Sequence, residues 1–164
     1  MDNIADLRII SHNDLKAYLS ENAPADSPFK AEKREGLVVD IMAASKKYQI
    51  NPVYILAHAI LESGWGRSKI AREKSNLFGY KAYDSSPYES AMSFVSYWQC
   101  IDTVMKHVHD NYLTPGGVYY NCPTLGGINQ KYASDKEWSA KIRKLMNDIY
   151  KFCSERKGKD GAGR

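Results

Sequence analysis

The sequence predicts a mainly helical domain with one small extended lobe. Several stretches repeat apolar residues at helical spacing, and one aromatic stretch between them does not. The length of 164 residues fits a single domain with short appendages. We therefore expect an N-terminal extension over 1–30, a core domain over 31–153 and a disordered tail over 154–164.

Composition and charge exclude several classes of protein. The mean hydropathy is −0.52, and no apolar stretch is long enough to cross a membrane. The 23 Lys and Arg residues against 19 Asp and Glu residues give a net charge of +4, which is too small for a dedicated nucleic-acid binder. That charge favours association with an anionic polymer such as bacterial wall material, and it serves solubility equally well. The three widely spaced cysteines, which we expect to be reduced structural thiols, are Cys100, Cys122 and Cys153.

Two core helices are predicted in the first half of the chain. Apolar residues recur at helical spacing over 36–49. The second helix begins after Asn51, a good N-cap, has Pro52 at its first position and stops at Gly64. Residues 13–21 fit two further helical turns, which a linker joins to the core.

The second half of the chain alternates predicted helices with irregular segments. The extended aromatic segment and the turn after it form the predicted small lobe. A Ser134-x-x-Glu137 pattern predicts a capping box before the final helix. We expect a short helix over 67–74, an extended segment over 76–84, a long helix over 87–112, a long loop over 114–132 with about one turn of helix, and a final helix over 138–152.

The sharpest local feature is the hexapeptide Leu61-Glu62-Ser63-Gly64-Trp65-Gly66. Glu62 falls outside the apolar stripe of its helix, on the side of Ile55 and His58. The helix dipole and the neighbouring Trp65 both favour a protonated carboxyl there, as a general acid requires. The two glycines would let backbone and substrate approach closely. An ordinary glycine-capped helix end explains the hexapeptide equally well.

His58 lies four residues before Glu62, but the pattern lacks the further ligands of a metal site. We therefore expect a packed or hydrogen-bonded histidine, no metal and no cofactor. A second carboxylate is available at Asp84, before a Ser-Ser-Pro turn, and Glu89 is another candidate. Paired carboxylates cleave glycosidic bonds, although an Asp before such a turn is also an ordinary turn former. Sugar binding requires aromatic surfaces, and the candidates are Trp65, Phe78, Tyr80, Tyr83, Tyr88 and Tyr119.

Four blocks of the chain, in fixed order and spacing, carry a family resemblance. They are AHAILESGWGRS at 57–68, NLFG at 76–79, YDSSPY at 83–88, and KYASD at 131–135 with Trp138. Together they resemble glycoside hydrolase family 73, the peptidoglycan endo-β-N-acetylglucosaminidases of autolysins and phage lysins.

The resemblance implies a lysozyme-like fold, with an α-lobe and a small β-lobe on either side of a cleft. It implies hydrolysis of the β-1,4 bond between GlcNAc and MurNAc, leaving GlcNAc at the new reducing end. Glu62 matches the catalytic acid of the family, Asp84 the second carboxylate of one branch, and Tyr132 a functionally important tyrosine. The chain lacks the longer insertion that carries the second acid in other branches. The 2-acetamido oxygen of the substrate is therefore an alternative nucleophile.

Two other interpretations stay open, namely a muramidase or lytic transglycosylase on the same scaffold, and a wall-binding module without catalysis. The expected partner is the peptidoglycan glycan strand, with no nucleic acid and no membrane span, and the expected state is a monomer. The first twenty residues do not read as a secretion signal. We therefore expect a phage-type lysin that is made in the cytoplasm, is released by a holin or carried in a virion, and acts on the bacterial cell wall.

Overall fold

The computed structural model describes residues 3–7, 10–30 and 35–162, and these residues are mainly helical. Among them, no helix is both long enough and apolar enough to span a membrane. A π-helical turn over His109–Leu113 follows the sixth helix. The α-helices are α1 (His12–Asn22), α2 (Glu35–Tyr48), α3 (Pro52–Ser63), α4 (Lys69–Lys74), α5 (Pro87–Ser90), α6 (Tyr97–Val108), α7 (Leu125–Tyr132) and α8 (Trp138–Ala162).

Helix α3 is the central element and begins and ends as predicted. The Asn51 side chain accepts a hydrogen bond from a first-turn N–H, and Gly64 ends the helix in the left-handed conformation, with a φ of 56°. Helix α3 packs against both α2 and α8. Ile55 and His58 are completely buried, so the prediction that they lie outside the packing face is wrong. Neighbouring elements cover α3 on every side, and only its last turn, with Glu62, opens outward.

The turn after α3 explains the glycines of the hexapeptide. Gly64, Trp65 and Gly66 all have positive φ, at 56°, 62° and 75°. A Cβ atom on Gly66 would lie 2.7 Å from Cε1 of Phe29, so only glycine fits there. The Gly66 N–H donates to the Ser63 hydroxyl at 2.8 Å. Gly66 therefore lets the backbone pack closely against Phe29 of the core. The prediction had been that it lets substrate approach the backbone.

The small lobe consists of turns and α5. Asn76 organises it: its side-chain amide donates to the carbonyls of Tyr80 and Met92, both at 3.0 Å, and its oxygen accepts from the Tyr80 N–H. Within the described ranges the only β pairing is an isolated bridge between Asn3 and Thr124. The mainly α class is confirmed, and the described part of the lobe is extended without being a sheet.

The predicted helix over 87–112 is divided, and its prediction as one element is wrong. The Phe94 N–H donates to the carbonyl of Lys74 at 2.8 Å, which draws the chain out of helical conformation between α5 and α6. The Ser96 hydroxyl then accepts from the Gln99 N–H and caps the start of α6. Val95, an apolar residue between the two helices, is 88% exposed. The predicted loop after residue 113 also contains a regular helix, α7.

Both ends of the described chain pack onto the core. Leu15 and Tyr18 of α1 are buried in the main hydrophobic cluster. The predicted disordered tail is wrong for 154–162, because α8 continues to Ala162 and Arg156 forms an ion pair with the buried Asp14 at 3.3 Å. Residues 163–164, and residues 1–2, 8–9 and 31–34 of the predicted extension and its junction with the core, lie outside the described residues. All three cysteines are free thiols, as predicted.

Candidate active site

A cleft of about 510 Å³ opens at the C-terminal end of α3. Its floor is the last turn of α3, one side is the 78–82 turn, and the other side is formed by the α7–α8 connection and the first turn of α8. Buried Asn129 fixes that connection: its amide donates to the Asp135 carbonyl at 2.9 Å, and its oxygen accepts from the Ser139 N–H at 3.1 Å. The acidic and aromatic side chains that surround the cleft opening, together with one lysine, are Glu62, Phe78, Tyr80, Tyr132, Asp135, Trp138 and Lys141.

Glu62 is the carboxyl group on the floor of the cleft. Its Oε1 accepts a hydrogen bond from the indole N–H of Trp138 at 3.0 Å, and 31% of its side chain remains exposed. Desolvation raises the pKa of Glu62 above its ordinary value. The negative charge of Asp135 adds to the rise, while the Trp138 hydrogen bond and the Lys141 charge oppose it. Glu62 therefore keeps its proton to a higher pH than an ordinary glutamate.

His58 lies beneath Glu62 inside an aromatic box. The rings of Phe78, Tyr132 and Trp138 surround the imidazole at centroid distances of 4.9, 5.2 and 5.3 Å. Burial lowers the pKa of His58 to about 3, so the imidazole is neutral. The prediction of a packed, hydrogen-bonded histidine is confirmed, because its Nδ1 lies 3.2 Å from the Tyr54 hydroxyl.

Tyr132 ends α7 and forms part of the cleft wall. Its ring packs against Tyr112 and Trp138 at 5.4 and 5.2 Å. Burial raises the pKa of Tyr132 well above its usual value, so the phenol stays protonated and can donate a hydrogen bond. The structure thus brings together Glu62 and Tyr132, two of the three predicted catalytic residues.

Asp84 is the third predicted catalytic residue, and it does not line the cleft. It is exposed on the turn that carries Lys81 and Ala82, and those two residues do line the cleft. The alternative, Glu89, is also exposed, in the short helix α5. The described cleft contains a different second carboxylate, Asp135.

The aromatic candidates divide into two groups. Phe78 and Tyr80 line the cleft, and Tyr119 reaches its edge through ring contact with Tyr112 at 5.2 Å. The other three do not line it. Trp65 stacks on Tyr18 at 6.2 Å, Tyr83 is 62% exposed, and Tyr88 lies against Lys69 and Lys74 at 4.1 and 4.5 Å.

Trp65, predicted beside Glu62, stacks on Tyr18 of α1 and does not line the cleft. Its positive φ directs the chain away from the end of α3 and toward α1. The aromatic neighbour of Glu62 is Trp138, 76 residues further along the chain. Trp138 belongs to one of the blocks of the family resemblance, but its place in an apolar helical pattern indicated a core residue only.

Asp135 and Lys141 form an ion pair at the rim of the cleft, with 2.7 Å between Oδ2 and Nζ. The Lys141 hydrogen bond, together with the Glu137 N–H, lowers the pKa of Asp135, so this carboxylate is ionised. The sequence does not predict the pair, because a separation of six residues matches no local contact rule for a helix. Across the described residues, no group of three or more His, Cys, Asp or Glu side chains is arranged to hold a metal ion.

A mainly helical domain with a carboxyl group of raised pKa in an aromatic-lined cleft is typical of lysozyme-like glycosidase domains. A family model described as mannosyl-glycoprotein endo-beta-N-acetylglucosaminidase, or glucosaminidase, matches residues 39–151. The chain therefore belongs to the glucosaminidase family. The predicted family and its glycoside hydrolase class are confirmed.

Relatives and solved structures agree with this assignment. A Streptococcus pneumoniae protein named endo-beta-N-acetylglucosaminidase is 43% identical over 106 residues, which are 65% of this chain and 16% of that protein. A bifunctional autolysin of Staphylococcus aureus is 26% identical over 137 residues, covering 68% of this chain and 11% of that protein. The chain thus matches less than a fifth of each relative's length.

The fold is similar to that of S. aureus autolysin E. The crystal structure of a catalytic mutant of that protein, in complex with the disaccharide NAG-NAM, superposes with a TM-score of 0.67 at 26% identity. The superposition covers 92% of this chain and 71% of that one. The lysozyme-like fold class predicted from the sequence is confirmed.

Proposed function

We propose that this chain is an endo-β-N-acetylglucosaminidase that hydrolyses the β-1,4 bond between GlcNAc and MurNAc in peptidoglycan. One observation carries the proposal: the Glu62 carboxyl lies in an aromatic-lined cleft where desolvation raises its pKa. The family assignment gives the reaction class. The disaccharide and muropeptide complexes of the similar autolysin E support a peptidoglycan fragment as the ligand.

Glu62 acts as the general acid in this proposal. Its proton passes to the glycosidic oxygen as the bond to the sugar carbon breaks, and the departing sugar leaves as an alcohol. Positive charge then develops on the remaining sugar ring and is stabilised by a nearby carboxylate until a water oxygen bonds to the sugar carbon. The proton that this water loses balances the one that Glu62 gave. Tyr132 lines the same cleft as Glu62. Its phenol is proposed to donate a hydrogen bond to the sugar at the scissile bond.

The second carboxylate role is proposed for Asp84, which lies on the turn beside the cleft. Ionised Asp135, inside the cleft, competes for the same role, and so does the acetamido oxygen of the substrate. Phe78, Tyr80 and Tyr119 are proposed to form the aromatic surface for the sugar rings. Trp65 is stacked on Tyr18, and no sugar contact is proposed for it. Tyr83 and Tyr88 do not line the cleft, so any sugar that they contact lies outside it.

Product analysis tests the proposed bond. Purified peptidoglycan is digested, the new reducing ends are marked with borohydride, and the fragments are identified by mass spectrometry. The proposal expects reduced GlcNAc at the new ends. Reduced MurNAc would show a muramidase, and anhydro-MurNAc a lytic transglycosylase. A protein that pellets with the wall and releases no fragment would be a binding module.

The biological setting is a separate proposal, namely a monomeric phage-type lysin that is released by a holin or carried in a virion. Its support is the positive net charge of +4 together with the proposed wall substrate. Expression in the bacterial cytoplasm with and without a holin tests the release route. Lysis in the presence of the holin alone supports that route, and equal lysis without it contradicts it.

A further inference from the structure

His58 has a buried ring nitrogen without a hydrogen-bond partner. Its Nε2 is one of two buried side-chain nitrogen or oxygen atoms, among the described residues, that lack a hydrogen-bond partner. Buried polar atoms are nearly always partnered, so such an exception requires an explanation. His58 Nε2 lies 3.9 Å from Oε1 of Glu62, just beyond hydrogen-bond distance.

The contacts of the two His58 nitrogens indicate which one carries the proton. Oε1 of Glu62 already accepts the indole N–H of Trp138, so this oxygen presents lone pairs to its surroundings. A bare lone pair on Nε2 facing the same oxygen would be repelled, whereas an N–H is attracted. The Tyr54 hydroxyl can donate to Nδ1 at 3.2 Å and so hold the proton of the neutral ring on Nε2.

We propose that His58 is a positioning residue for Glu62, a neutral imidazole whose Nε2–H moves into hydrogen-bond contact with Oε1 as Glu62 gives up its proton. Trp138 and His58 then donate to the same oxygen, and the proton leaves from Oε2. No described residue donates a hydrogen bond to Oε2. The inference rests on the proposed role of Glu62 as general acid.

The surroundings are suited to this exchange because the other titratable groups within them are uncharged. Burial raises the pKa of Tyr54 and Tyr132, and brings that of Tyr112 and of Cys100 to about 12. The charged groups that act on Glu62 are Asp135 and Lys141, at the rim of the cleft and paired with each other. A cationic His58 would form a lasting ion pair with the Glu62 carboxylate and hold it deprotonated, whereas a neutral donor stabilises the carboxylate less strongly.

Nitrogen NMR of the wild-type protein tests the protonation state without reference to activity. In protein labelled with ¹⁵N on histidine, we expect the His58 signals of a neutral ring protonated on Nε2 throughout the pH range of activity. The Tyr54→Phe variant removes the hydroxyl that fixes Nδ1, and the preference for this tautomer should weaken. A ring protonated on Nδ1, or a cationic ring, in the wild-type protein would overturn the inference.

Kinetics test the role itself. His58→Phe fills the aromatic box without a donor, and we expect kcat to fall about tenfold while KM changes by less than about twofold. The alkaline limb of the kcat profile should move upward by about one pH unit, since losing a donor to the carboxylate favours the protonated form. His58→Gln retains an N–H donor and should recover most of both changes. His109→Phe, outside the cleft, is the matched control and should leave both unchanged.

The outcomes separate this inference from the proposed function. If His58→Phe lowers only the stability of the fold, and folded protein keeps its kcat and its alkaline limb, the positioning role is wrong. Glu62 as acid survives that result. If Glu62→Gln is fully active, Glu62 is not the acid, and the positioning role of His58, which rests on it, fails as well.

Discussion

The two walls of the cleft are built differently. The acid wall, defined here as Glu62 on the floor, His58 beneath it, and Tyr132 and Trp138 on the adjoining side, is held by ring contacts of 5.2–5.3 Å and an indole–carboxyl hydrogen bond of 3.0 Å. The turn wall, defined here as residues 79–82 with the exposed tip 83–84 beyond the cleft, is anchored by Asn76 at its base.

The difference indicates that one wall is suited to proton transfer and the other to holding the substrate. Proton transfer requires a fixed geometry and a tuned pKa, and the acid wall supplies both because Trp138 belongs to the main hydrophobic cluster and Tyr132 packs against it. A glycan strand is long and polar, and the turn wall presents an accessible surface on which it can lie. We therefore expect substitutions in the acid wall to change kcat and its pH dependence, and those in the turn wall to have smaller effects.

The largest effect is expected for Glu62→Gln. The amide still accepts the Trp138 hydrogen bond but has no proton to transfer, so kcat should fall by about 10²- to 10⁴-fold. Turbidity loss of purified walls measures the rate, and circular dichroism checks that the fold is kept. Glu155→Gln, an exposed glutamate in α8, is the control and should behave like the wild type. If the Glu62→Gln variant lysed walls at the wild-type rate, Glu62 would not be the acid.

Gly66→Ala should be the most destabilising change near the acid wall. The new Cβ would meet Phe29 at 2.7 Å at a φ of 75°, and we expect a loss of about 2–3 kcal/mol in the free energy of unfolding. Gly64→Ala, at a φ of 56° with no atom within 4 Å, is the matched control and should lose about 1 kcal/mol. Urea unfolding measures both, and equal losses would contradict the steric explanation.

Asp84→Asn tests whether the turn wall contributes to the chemistry. An exposed carboxylate acts through solvent, so we expect kcat to fall by only about tenfold, less than for Glu62→Gln. Initial rates on a defined GlcNAc–MurNAc oligomer measure it. Glu89→Gln and Asp135→Asn are the parallel variants. A tenfold loss in either one, with Asp84→Asn unchanged, would assign the second carboxylate to that residue.

The smallest effect is expected at the rim ion pair. Asp135 raises the pKa of Glu62 and Lys141 lowers it. Asp135→Asn should therefore move the alkaline limb of the kcat profile to lower pH, and Lys141→Gln should move it to higher pH, each by less than about one unit because solvent screens the charges. High salt should reduce both shifts. Shifts in the same direction would show that the variants act through structure rather than charge.

The sequence predicted best those elements that local chemistry specifies. The N-cap at Asn51 and the C-cap at Gly64 depend on a few adjacent residues. The divided helix was missed because a backbone bond from Phe94 to Lys74 decides it, across 20 residues of chain. Likewise, the helical continuation past Cys153 is tied to the core by the ion pair between Arg156 and Asp14, which are far apart in sequence.

The sequence by itself determined the helical class, the glucosaminidase family and the position of one carboxyl group at the end of a buried helix. Only the tertiary structure decided which aromatic residue contacts that carboxyl, which second carboxylate shares its cleft, and that a neutral histidine lies beneath it. The physical reason is distance along the chain. Helix signals and caps act over a few residues, whereas desolvation and charge depend on groups that folding brings together from α3, α7 and α8.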